Sequence, residues 1–179
     1  MAAGATIHTL SIQLSDSDRG VYQDLELRVA RHPSETAPFM LARLLAYCLE
    51  YQDGIVMTAG IAAVDEPAVL ARDLTGQLTA WIEVGAPDAD RVHRGSKLAG
   101  RCAVYSHRDP TPLLQVFAGE KIHRAAEIPL YSFDREFMNQ ASAAITRRCA
   151  ISLSVTGRHL YLTVDGKDFD SPIEEQRLG

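Results

Sequence analysis

"LTAWIEVGAPDADRV", residues Leu78 to Val92, decides how the chain is read. In its first half apolar and polar residues alternate. Leu78, Ala80, Ile82 and Val84 point one way; Thr79, Trp81 and Glu83 point the other, which is the period of a strand. Gly85 and Pro87 break that pattern. Asp88 is a helix-capping type, and a charged helix follows to about Ala99. Arg101 to Ser106 then reads as another short strand. A strand–helix–strand unit is therefore expected at the middle of the chain, with Glu83 ending its first strand.

The flanks read differently. Thr6 to Leu14 alternates, with Ile7, Leu10, Ile12 and Leu14 carrying the apolar signal. Tyr22 to Ala30 sets Leu25, Leu27 and Val29 against Asp24, Glu26 and Arg28. The link "SDSDRG" is turn chemistry, so the two runs form a hairpin. In "ARHPSETAPFMLARLLAYCLEYQDG", Ser34 or Thr36 caps a helix and Pro38 suits its first turn. Met40, Leu41, Leu44, Leu45 and Cys48 form its buried stripe, and Gly54 stops it. Ile55 to Ala63 reads as an apolar strand, "VDEP" as a loop, and Ala68 to Arg72 as a short helical turn. Thr111 to Phe117 is a helix, Ile128 to Tyr131 a strand, and "FDREFMNQASAAI" a helix capped by Asp134. The chain closes on a hairpin, Cys149 to Val155 and His159 to Val164, turning at "TGR". The expected class is α/β, or α+β, with mixed sheets flanked by helices.

Composition bounds the function. A chain of 179 residues without repeats or a dividing linker fits one domain, residues 1–179, with its own core. The three cysteines, Cys48, Cys102 and Cys149, are far apart and form no C-x-x-C pair, which disfavours a zinc knuckle or a disulfide framework. A reducing, cytoplasmic setting is expected. The N-terminal stretch alternates where a signal peptide would be continuously apolar. The run Ile55 to Val64 falls short of the roughly 20 residues that span a bilayer, so no membrane partner is expected. A net charge of -5 does not suit a dedicated non-specific nucleic-acid binder. Basic residues nevertheless cluster at Arg91, Arg94, Lys97, Arg101 and Arg108.

Three carboxylates stand out: Glu35 before a helix, Asp65 after an apolar run, and Glu83 at a strand end. Mg²⁺ takes hard oxygen ligands, often one or two carboxylates with water and substrate phosphate. The same residues have plain structural uses, as helix-terminus, turn and strand-end groups. Arg91 and Arg94 share a helix face and Lys97 continues the row; they would either contact phosphate or form a solvated face. His32 suits a hydrogen-bonded strand-to-helix corner better than a metal site, since no second histidine has ligand spacing. Trp81 is either a stacking platform or core. There is no Walker A, G-x-G-x-x-G or G-x-S-x-G motif.

Taken in order, "ARHPSET…RLLAY", "DEP" and "WIEVGAPDADR" resemble the YaeQ family of bacterial proteins over essentially the whole chain. The resemblance implies a variant of the PD-(D/E)XK nuclease fold, a restriction-endonuclease-like core with additional hairpins. It makes Glu35 the acid of the first core helix, Asp65 the first-motif acid and Glu83 the D/E of D/E-x-K. Asp65 and Glu83 would hold Mg²⁺. Arg91 and Arg94 would contact phosphate. The lysine position is Gly85, so Arg94 or Lys97 would have to replace that lysine. Arginine stays protonated and cannot serve as a base. The implied function is Mg-dependent phosphodiester hydrolysis on nucleic acid. The alternative is a catalytically inactive nuclease-derived module that binds a protein or nucleic acid.

Overall fold

The computed structural model describes residues 4–59 and 65–179. In chain order the elements are β1 (Thr6–Asp16), β2 (Val21–Arg31), α1 (Ala37–Leu49), β3 (Ile55–Met57), β4 (Val69–Arg72), β5 (Leu78–Val84), α2 (Ala89–Leu98), β6 (Arg101–Tyr105), α3 (Thr111–Ala118), β7 (Pro129–Ser132), α4 (Arg135–Ala144), β8 (Arg148–Thr156), β9 (His159–Val164), β10 (Lys167–Pro172) and β11 (Glu174–Arg177). The fold is mixed α+β, with two mixed sheets and four helices among the described residues. The chain divides into two compact units. One is Met1–Leu41 with Phe133–Ile173; the other is Ala42–Ser132 with Glu174–Gly179.

The first unit holds the five-stranded sheet β10-β9-β8-β1-β2. The expected N-terminal hairpin forms, pairing Leu10 with Leu27 and Thr9 with Arg28. Strand β1 also runs parallel to β8, so strands from the first and last quarters of the chain share one sheet. Period two then sorts the side chains. Leu10, Ile12, Leu14, Ile151, Leu153, Leu160 and Leu162 are buried on one face. Helix α4 contacts β9 and β10 and buries Phe137, Met138 and Ala141. Asp134 caps α4 as expected, its carboxylate accepting the Phe137 N–H at 3.0 Å. Thr36, in turn, caps α1 by accepting the Phe39 N–H at 3.2 Å.

The second unit holds the six-stranded sheet β11-β7-β6-β5-β4-β3. Strands β5, β6 and β7 are mutually parallel, as helix-bearing crossovers require. Helix α2 links β5 to β6, so the expected strand–helix–strand unit is present. Strand β5 has β4 on one side and β6 on the other, and it is buried continuously from Ala80 to Val84.

Several sequence expectations are corrected. Ala68 to Arg72 is not a helical turn. Val69, Leu70 and Ala71 form strand β4, paired between β3 and β5. A short run apolar on both faces suits a buried strand as well as a helix segment, and periodicity alone does not separate them. The strand expected over Ile55 to Ala63 is described only as Ile55–Met57, and residues 60–63 of it lie outside the described residues. Helix α1 ends at Leu49, before Gly54, which lies in the following turn. The chain does not finish on the hairpin to Val164; β10 and β11 follow. These are edge strands, too polar and exposed to carry an alternating apolar signal. Among the described residues no helix is long and apolar enough to cross a membrane. All three cysteines are free and buried.

Candidate functional site

Glu83 leaves the carboxyl end of β5, the end at which open parallel sheets commonly bind ligands. It is 4 % exposed, not a solvated strand end. Three N–H groups converge on one of its oxygens, Oε1. The Trp81 indole donates at 3.0 Å, the Arg91 Nε at 3.2 Å, and an Arg91 Nη lies 3.1 Å away. Among the described residues no donor reaches Oε2. Burial pushes the Glu83 carboxyl above the usual carboxylate range; Arg91, Trp81 and the charge of Arg94 pull it part of the way back.

The strand's two-residue period sets Trp81 and Glu83 side by side on the face that α2 covers. Trp81 is core. It packs with Val92, Cys102, Val104, Phe117 and Leu130, and its single polar atom is satisfied by Glu83. Gly95 lets α2 lie against the indole, since any Cβ there would overlap the ring. The residue before it, the exposed Arg94, sets its guanidinium 5.7 Å from the Trp81 ring centroid, a cation–π distance. The far end of α2 is held by Arg124, whose guanidinium donates to the Ser96 and Ala99 carbonyls at 2.6 and 2.9 Å. Those are the carbonyls a helix leaves without partners.

Gly85 follows Glu83 at the end of β5. Its φ is +92°, and its N–H donates to the Tyr105 carbonyl at 2.8 Å. A side chain there would be strained, and this is the position to which the sequence resemblance assigned a lysine.

The sequence-derived residues come together only in part. Glu83, Arg91 and Arg94 converge around Trp81. The loop carrying Asp65 is tied in through its neighbour, because Arg91 Nη2 donates to the Glu66 carbonyl at 2.7 Å. The Asp65 carboxylate itself is exposed, and Lys97 is exposed on the outer side of α2. Glu35 belongs to the first unit, where it is buried and its carboxylate accepts the His32 N–H at 3.2 Å. His32 is the hydrogen-bonded corner expected of it, with Nδ1 2.7 Å from the Ser34 hydroxyl. Among the described residues no group of three or more His, Cys, Asp or Glu side chains is placed to hold a metal ion. As they stand, these side chains do not fit a Mg²⁺ cluster: the guanidinium of Arg91 covers Glu83 Oε1 and reaches the Glu66 carbonyl.

One buried network was not singled out from the sequence. On the opposite face of the same sheet Glu50 takes both prongs of Arg101, Nε and Nη2, each at 2.9 Å. Tyr105 donates to Glu50 at 2.6 Å, and Arg101 donates to the Tyr131 hydroxyl at 3.0 Å. Burial, and then the Glu50 charge, hold the Tyr105 hydroxyl well above its ordinary range. The available signal was that Arg101 falls on the strand face of Ala103 and Tyr105, inside an apolar run.

The family model described as YaeQ protein matches residues 1–172. The chain belongs to the YaeQ family. "Uncharacterized protein YaeQ" of Escherichia coli (strain K12) is 28% identical over 171 residues, covering 95% of this chain and 94% of that one. The Salmonella typhi protein of the same description is 36% identical over 107 residues, 60% of this chain and 59% of its own length. Among solved structures, the YaeQ protein from Pseudomonas syringae has a TM-score of 0.85 at 25% identity, covering 98% of both chains. The YaeQ protein from Xanthomonas axonopodis pv. citri has a TM-score of 0.86 at 26% identity, covering 96% of this chain and 98% of that one. The mixed α+β arrangement is thus the YaeQ fold.

Proposed function

We propose that this YaeQ-family protein is a nuclease-derived binding module for nucleic acid, in which an arginine takes the part of the catalytic metal. The observation that carries this reading is the bridge made by Arg91. Its guanidinium forks onto Glu83 and also reaches the Glu66 carbonyl, beside Asp65. In a metal-dependent nuclease a divalent cation would lie between the acids of those two motifs. Here a covalently tethered, permanently charged cation fills that role. It needs no Mg²⁺, and it neutralises Glu83 in the absence of substrate. Arg94 and Lys97, both exposed on α2, remain as phosphate contacts. Gly85 supplies no base, so attack of water on a phosphodiester lacks its usual proton acceptor.

A second reading, Mg-dependent hydrolysis, has one observation in its favour. Oε2 of Glu83 has no donor among the described residues, and Asp65 is exposed in the loop that Arg91 ties to Glu83. Incubation of labelled single- and double-stranded oligonucleotides with Mg²⁺ or Mn²⁺ separates the two readings. Binding without cleavage, weakened by Arg94→Gln with Lys97→Gln, is the expected result. Cleavage that disappears in Glu83→Ala would establish the second reading and overturn the first.

A further inference from the structure

On one face of the five-stranded sheet Thr9, Ser11 and Gln13 of β1 are half-buried or exposed, and the charges beside them are sorted along the strands. Strands β2, β1 and β8 bring Arg28, Thr9 and Arg148 into one row: Thr9 is the ladder partner of both arginines. With strands about 4.8 Å apart, the two arginine backbones are about 10 Å from each other. Together with Ile7, Thr146 and Arg147 they line an open trough. All three arginines are exposed, and among the described residues none has a carboxylate partner.

The backbone beneath them is fixed. The Thr9 N–H donates to the Arg147 carbonyl at 2.7 Å. Thr146 is held on three sides: its N–H lies 2.9 Å from Cys149 Sγ, its hydroxyl donates to the Arg148 carbonyl at 3.0 Å, and its carbonyl lies 3.0 Å from His8 Nδ1. One row further along, the sign of charge reverses. Glu26, hydrogen-bonded by Ser11 at 2.8 Å, begins an acidic stretch that includes Asp24 and Asp165. Along these strands the arginine row is therefore bounded on one side by carboxylates. An extended polyanion would meet repulsion beyond it.

We infer that this trough is a phosphate-binding site that holds a short segment of nucleic-acid backbone without reading sequence. Three planar guanidinium forks match phosphate oxygens. The Thr9 hydroxyl supplies a neutral donor between Arg28 and Arg148. Among the described residues no aromatic side chain lines the trough, so they offer bases no stacking platform there. This site goes beyond the one around Glu83, lies in the other unit of the chain and needs no metal.

The test is fluorescence anisotropy with a short labelled oligo(dT) in EDTA over a series of salt concentrations. Arg28→Gln with Arg148→Gln should weaken binding about tenfold or more and flatten the slope of log K against log salt by about 1 to 2, as expected for two lost phosphate contacts. Arg135→Gln, which removes one such charge from the exposed face of α4, should leave both unchanged. Melting curves confirm that the variants fold, and Arg147→Gln in the turn gives a second, independent reading. Unchanged affinity and slope in the double variant overturns the inference, as does an equal loss with Arg135→Gln or no binding by wild type. An oligoglutamate of matched charge that competes as well as unlabelled oligo(dT) overturns it in favour of an acidic protein partner. If Arg94→Gln with Lys97→Gln abolishes binding and the trough variant does not, the trough fails while the proposed function stands; the opposite pattern keeps the trough and removes the α2 contacts.

Discussion

Two buried glutamates sit on opposite faces of one sheet, each paired with an arginine, and they are finished differently. Glu50 uses both oxygens: one takes Arg101 Nε, the other takes Arg101 Nη2 and the Tyr105 hydroxyl. Glu83 gathers its donors on Oε1 alone. The first is a closed structural tie between the end of α1 and strand β6. The second is polarised, with a spare oxygen at the carboxyl end of the sheet and exposed basic residues alongside. Burial and an ion pair do not by themselves mark a functional residue; the distribution of donors distinguishes these two.

The largest effect should come from breaking the closed pair. Glu50→Ala removes the carboxylate that Arg101 and Tyr105 share. Removing one partner of a buried pair costs several kcal/mol, discounted here to about 3 kcal/mol because Arg101 is partly exposed. Urea unfolding measures it. A loss equal to that of Glu83→Gln would erase the distinction between the two sites.

Next is Gly85→Lys, which restores the motif residue. A non-glycine side chain at a φ of +92° should cost about 1–3 kcal/mol, and no cleavage should appear. Gain of Mg-dependent cleavage in that variant would mean that only the base was missing.

Glu83→Gln should cost less, about 1 kcal/mol, since the amide oxygen still accepts from Trp81 and Arg91. Its pH dependence gives a sharper reading. The folded Glu83 is pushed upward by burial, so the native state holds its proton more tightly than the unfolded chain. Stability from that proton is fully present below the unfolded value and is lost as pH rises through the folded one. The stability advantage of wild type over Glu83→Gln should therefore shrink from acid toward neutral pH. An advantage that grows with pH would mean that Arg91 outweighs burial.

The sequence resolved the fold where its local signals were consistent. The β1–β2 hairpin, the caps Thr36 and Asp134, and the β5–α2–β6 unit were all legible from period and capping chemistry. It failed where burial comes from neighbours distant in the chain. Strand β4 looked like a helical turn because pairing on both sides removes alternation. Strands β10 and β11 carry no pattern because they are edge strands. At the site, residue types near Glu83 were readable, but their division of labour was not. Arg91 was expected to contact phosphate, and its contacts with Glu83 and the Glu66 carbonyl were not foreseen. Glu35 was grouped with Glu83 by resemblance and serves a turn in the first unit. The Arg28–Thr9–Arg148 row could not be read at all, since it needs the parallel pairing of strands from the first and last quarters of the chain.

The most direct test is a melting curve with and without Mg²⁺. If Arg91 supplies the cation at Glu83, millimolar Mg²⁺ should leave the melting temperature of wild type unchanged. A metal bound at 100 times its Kd would stabilise the native state by about 2.7 kcal/mol, which for a chain of this size means about 5–10 °C. A rise of that size, present in wild type and absent in Glu83→Gln, would contradict the arginine-for-metal reading.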